Sequence, residues 1–145
     1  MSKTEDFLTK AEEQEIVQAI MEAENNTSGE IRVHLEENNE KQPLERAQEV
    51  FFQLNMQNTK ARNGVLLYVC LIKKQFAIIG DEGINAVVEE NFWDSTKNII
   101  LNNFKEAKYK EGLVKGIQNA GEQLKKYFPY EKDDSNELPN EISKG

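Results

Sequence analysis

Cysteine, histidine, tryptophan and proline are all scarce in this chain of 145 residues. Cys70 is the single thiol, His34 the single imidazole and Trp93 the single indole, with three prolines. One thiol excludes an internal disulfide framework. One imidazole excludes sites that need two, so Cys/His zinc sites and HExxH metalloprotease chemistry are ruled out. Basic residues are outnumbered, 18 against 26 acidic, for a net charge of −8. Such a field repels phosphate and anionic headgroups, so nucleic acid and direct membrane insertion are not expected partners; cations are. No apolar run approaches the roughly 18 residues of a membrane span. The opening Met-Ser-Lys-Thr-Glu-Asp has early charges and no apolar stretch, unlike a secretory signal, and a cytoplasmic monomer is the expectation.

The apolar residues that are present cluster. A length of 145 fits one domain that can bury a core without staples. Thr9 and Glu12 have capping-box spacing, and Ile16, Val17, Ile20, Met21 and Ala23 recur at helical spacing, which predicts a helix over 9–25. Residues 30–36 alternate strictly. Ile31, Val33 and Leu35 lie on one face and Glu30, Arg32, His34 and Glu36 on the other, predicting a half-buried strand near a sheet edge. Pro43 opens a helix whose buried face is Leu44, Ala47, Val50, Phe51 and Leu54. Residues 65–72 are continuously apolar, as in a central strand, and Lys73-Lys74 turns the chain into a return strand over 75–79. Helices are expected over 84–90, after an Asp94 or Ser95 cap, and after Gly112. Residues 1–8 read as a lead, 9–129 as the α/β domain, and 130–145 as a disordered acidic tail.

The order α-β-α-ββ-α-α-α contains one βαβ unit, which makes its two strands parallel; the third strand returns antiparallel. Three glycine-bearing turns must then meet at one end of the sheet. They are Ser28-Gly29-Glu30, Arg62-Asn63-Gly64 and Gly80-Asp81-Glu82-Gly83. Carboxylates, amides and backbone carbonyls are the ligands of Ca²⁺ and Mg²⁺, which makes Asp81 the leading candidate, with Glu82, Glu30 and Asn63 as helpers. Asp81 or Glu82 could equally cap the next helix. Asp94 is a further carboxylate whose simpler role is an N-cap. Arg32 and Arg62 could hold an anion instead. His34, alone on a polar strand face, reads as surface. Cys70, inside the most apolar strand, reads as a structural thiol.

At these turns the chain resembles the TPM domain family. The matching segments are Thr27-Ser28-Gly29-Glu30-Ile31-Arg32-Val33, Arg62-Asn63-Gly64-Val65-Leu66-Leu67-Tyr68-Val69 and Ala77-Ile78-Ile79-Gly80-Asp81-Glu82-Gly83-Ile84, with Phe92-Trp93 and Gly112-Leu113. The resemblance covers roughly residues 8–129. It implies an α/β/α sandwich around a small mixed sheet, divalent-cation binding, and the acid phosphatase activity attributed to a plant-lumen branch. The combined expectation is a single-domain, three-layer α/β fold with three to four strands. Its function would be a Ca²⁺- or Mg²⁺-binding regulatory module. The alternatives are a metal-dependent phosphatase using the same carboxylates, or a protein-interaction module in membrane or envelope maintenance. Catalytic residues are not identifiable: Cys70 lacks an arginine at phosphatase-loop spacing, and no Asp-x-Asp pair occurs.

Overall fold

The computed structural model describes residues 7–130 and 138–145. Helix α1 spans Lys10–Glu24. Its start is fixed by Thr9, whose hydroxyl accepts from the Glu12 N–H at 3.0 Å while the Glu12 carboxylate accepts from the Thr9 N–H at 3.0 Å. Ile16, Ala19, Ile20 and Ala23 form its buried stripe. Met21 was expected there but is 46% exposed, because it lies on the flank of the 3.6-residue period. Strand β1 is Glu30–Glu36, helix α2 Pro43–Gln53, strand β2 Gly64–Cys70 and strand β3 Gln75–Gly80. Helices α3 (Glu82–Asn85), α4 (Asp94–Lys105) and α5 (Tyr109–Lys125) follow, and β4 is Ser143–Lys144. The helix expected over 84–90 starts earlier and is shorter, because Asp81 supplies its cap. Leu44, expected inside, is exposed on the first turn of α2.

The sheet runs β3-β2-β1-β4. β1 and β2 are parallel with Glu30 opposite Gly64; β2 and β3 are antiparallel with Val65 opposite Gly80. On one face Val33, Leu35, Val65, Leu67 and Ile78 pack against α1, α4 and α5. On the other, Leu66, Tyr68, Cys70 and Ala77 pack with Ala47, Val50 and Phe51 of α2. These are the expected three layers.

Two expectations are corrected. β1 lies next to the sheet edge, as expected, but it is not half-buried: all seven of its residues are buried, because Arg46 of α2, Tyr68 of β2 and the segment at 138–145 cover its polar face. The 138–145 part of the expected disordered tail is an ordered strap. Leu138 is buried in the α2-side core, His34 pairs with Ser143 and Leu35 with Lys144, and the Gly145 N–H donates to the Leu35 carbonyl at 2.8 Å. Its few apolar residues dock onto a strand distant in sequence, which local composition does not reveal. Residues 131–137 and 1–6 lie outside the described residues.

Candidate functional site

The three glycine-bearing turns do converge at one end of the sheet, and main-chain hydrogen bonds lock them. The Glu30 N–H donates to Asn63 O at 3.3 Å, the Asp81 N–H to Gly64 O at 3.0 Å and the Gly83 N–H to Arg62 O at 2.9 Å. The Asn63 amide donates to the Ser28 hydroxyl at 3.3 Å. Arg62 has a left-handed backbone, φ 51°, which turns the chain into β2.

Asp81 is the centre of this end. It is 5% exposed and accepts from the Glu82 N–H at 2.7 Å, so it caps α3 as one of the two sequence readings expects. Both of its oxygens also face Arg62, which donates from Nε at 2.8 Å and Nη2 at 3.0 Å. The third guanidinium nitrogen, Nη1, reaches Glu82 at 2.9 Å. The hydrogen bond to Asp81 holds the Arg62 guanidinium above its ordinary range. Arg62, singled out as an anion holder, is thus the cation partner of Asp81. Its position in a turn bound for the same sheet end was the available signal.

The other candidates separate from this pair. Glu30 is buried and accepts from the Leu138 N–H at 2.6 Å, so one of its oxygens serves the strap. Asn63 is buried, its main-chain N–H donating to the Thr59 hydroxyl at 3.2 Å. Asp94 is not a cap. It is exposed in the first turn of α4, where the helix dipole favours its charge, and Trp93 holds the cap position without a side-chain bond. Among the described residues no group of three or more histidine, cysteine, aspartate or glutamate side chains is placed to hold a metal ion. The sheet end therefore offers two carboxylates and a guanidinium.

A second polar cluster, read from the sequence as solvated, is buried on the α2 side. His34 is 5% exposed; its Nδ1 lies 2.9 Å from the Ser143 hydroxyl and its ring stacks at 6.0 Å on Tyr68. Burial pushes the His34 pKa down, which favours the neutral ring. Glu36 accepts from Arg46 at 3.0 and 2.7 Å and from the Tyr68 hydroxyl at 2.5 Å. Burial raises the Glu36 pKa, but these donors outweigh it and the net shift is downward. Cys70 is buried, as expected of a structural thiol.

Glu24, at the end of α1, carries a titration of its own. Its carboxylate accepts from the Ile31 N–H at 2.9 Å, and burial pushes its pKa from 4.5 to about 7. A raised folded pKa means that the contribution is fully present below about pH 4.5 and lost as pH rises through 7. Glu24→Gln is therefore expected to stabilise the protein at pH 8 by up to about 2–3 kcal/mol, with no gain at pH 4.5. Thermal unfolding at the two pH values reads this; an equal effect at both contradicts it.

Helices on both faces of a four-stranded mixed sheet, with carboxylates at the end where β1 and β2 begin, define a small single-domain α/β protein. The family model for the TPM domain matches residues 1–123, and the chain belongs to that family. It is similar to the solution structure of the BA42 protein from the psychrophilic bacterium Bizionia argentinensis, at 58% identity and TM-score 0.93 over the whole of both chains. It also resembles the solution structure of the N-terminal domain of a protein from P. gingivalis, at 17% identity and TM-score 0.70, over 84% of this chain and 79% of that one. The N-terminal domain of the cg2496 protein from Corynebacterium glutamicum matches at 13% identity and TM-score 0.65, over 95% of this chain and 80% of that one. These last two likenesses are of fold. No curated protein matches the chain. No helix among the described residues is long and apolar enough to cross a membrane.

Proposed function

We propose that this TPM domain is a divalent-cation-binding module in which Ca²⁺ or Mg²⁺ and the Arg62 guanidinium compete for Asp81 and Glu82. The observation that carries the reading is the pairing of a buried carboxylate with a partly exposed cation. Asp81 is 5% exposed, whereas the Arg62 side chain is 36% exposed and sits on a left-handed turn residue. The donor set fits a hard cation: two carboxylates, with water completing the shell, is a common arrangement for Mg²⁺. The net charge of −8 favours cation approach. Asp81 and Glu82 would hold the ion, and Arg62 would turn to solvent. Selective binding to the folded state then stabilises the sheet end.

Thermal unfolding of chelator-stripped protein in millimolar Ca²⁺ or Mg²⁺ tests this. The wild-type midpoint is expected to rise. Arg62→Gln should bind at least about tenfold more tightly, since the resident competitor is gone. Asp81→Asn should abolish the response. Unchanged midpoints in both wild type and Arg62→Gln would sink the proposal. Among the described residues neither Cys70, at the far end of β2 from Gly64, nor His34, buried midway along β1, stands at this sheet end to act as a nucleophile.

A further inference from the structure

The sheet has two edges, and only one is strapped. β4 covers the β1 side, while β3 pairs with β2 alone among the described residues. The register determines which β3 groups face outward. The Asp81 N–H donates to Gly64 O, so the hydrogen-bonded pairs of this antiparallel ladder fall on alternate residues: 64 with 81, 66 with 79, 68 with 77 and 70 with 75. Phe76, Ile78 and Gly80 therefore turn their amide groups away from β2. The Gly80 carbonyl is already taken by the Asn85 amide at 3.2 Å. Phe76, half-buried, and Ile78, buried, remain, and at both the N–H and C=O point away from β2 toward the groove.

A groove of about 520 Å³ runs along this same edge. α2 forms one wall and α4 the other. Leu44 is 54% exposed on the α2 side and Leu101 42% exposed on the α4 side. Lys74 and Lys97 also line it, neither has an ion pair among the described residues, and no acidic side chain lines it. A wall with two cations and no carboxylate is a departure from the surface of a chain with 26 acidic residues. An open edge normally carries charges that discourage pairing with further strands. Here the lysines sit beside exposed leucines, a charge that opposes basic strands and complements acidic ones.

We infer that the β3 edge is a docking groove for an extended acidic segment of a protein partner, which adds to the sheet as a fifth strand. Main-chain bonds to Phe76 and Ile78 supply the pairing, and side chains on the two faces of the added strand meet Leu44 and Leu101. Carboxylates flanking those apolar positions meet Lys74 and Lys97. This inference does not depend on cation binding at Asp81, which lies beyond the end of the same strand.

The test uses the full chain and an acetylated, amidated peptide, Glu-Glu-Val-Val-Glu-Glu, which presents one valine and flanking carboxylates on each face. Saturable amide shifts in ¹⁵N spectra are expected at Phe76 and Ile78. Lys74→Glu combined with Lys97→Glu, both exposed substitutions, should weaken binding at least about tenfold. The peptide methylated on both valine nitrogens should lose the shifts at Phe76 and Ile78, since in either register one of the two N–H groups must face β3. Equal binding of the methylated peptide, or of Lys-Lys-Val-Val-Lys-Lys, would overturn the inference, as would the absence of saturable shifts. Shifts at Phe76 and Ile78 that grow with protein concentration alone would assign the edge to a second copy of the chain and overturn it too.

Discussion

Gly83→Ala is expected to lower the unfolding midpoint by about 10 °C, from a loss of about 3 kcal/mol or more. A Cβ on Gly83 would run into the Ala61 carbonyl oxygen and lie 2.6 Å from the Arg62 carbonyl oxygen. Both obstacles are main chain, so no side-chain rotation relieves them. The Gly83 N–H is also the donor that holds the Arg62 carbonyl at 2.9 Å. A methyl group there pushes the turn after β3 away from the turn before β2, and so separates Asp81 from Arg62. The local result should be a change in the Arg62 Nε resonance alongside the lost stability. A midpoint within about 2 °C of wild type would show that these two turns are not tightly coupled.

Glu36→Ala is expected to have a comparable effect through a different cause. The Glu36 side chain is 9% exposed and receives two nitrogens of Arg46 and the Tyr68 hydroxyl. Removing the carboxylate leaves the Tyr68 hydroxyl buried without that acceptor and Arg46 with Glu49 as its remaining carboxylate partner. Breaking one partner of such a buried pair costs about 3–5 kcal/mol. Glu36→Gln keeps an acceptor for Tyr68 and should cost less. Adding Arg46→Met to Glu36→Ala should recover part of the loss, because the stranded charge goes with it. The pH dependence has a definite sign: the Glu36 pKa is lowered in the folded state, so its contribution is present above the ordinary carboxylate value and disappears as pH falls through the folded one. Full additivity of the two substitutions in a double-mutant cycle would contradict this network.

The elements whose signals are local were legible in the sequence. Thr9 and Glu12 mark the start of α1, the alternation over 30–36 marks β1, and the apolar run after Gly64 marks β2. The βαβ argument also brought the three glycine turns to one end correctly. What the sequence obscured was what covers a polar face. Glu30, Arg32, His34 and Glu36 alternate like solvent-facing residues, yet Arg46, Tyr68 and the 138–145 strap bury them. Glu30, His34 and Glu36 bond to groups of the strap, α2 and β2 rather than to water, and periodicity cannot separate that from hydration. The strap itself hid in an acidic stretch, since Leu138 and Ile142 are isolated apolar residues that pack on distant chain. At the candidate site, residue type pointed to Asp81 and Glu82 and the topology brought Arg62 to the same end, but its pairing with both carboxylates, 19 and 20 positions later, emerges only from the structure.

A divalent cation and Arg62 are proposed to exchange at Asp81. The most direct measurement is a ¹⁵N titration of chelator-stripped protein with Mg²⁺ and then Ca²⁺, following the Arg62 Nε–H signal together with the amides of Gly80, Asp81 and Gly83. Saturable shifts confined to that turn are expected, with the Nε–H signal moving in step toward that of a solvated guanidinium. Saturation at some other part of the chain, or shifts at the turn with the Arg62 Nε–H unmoved, would contradict that exchange.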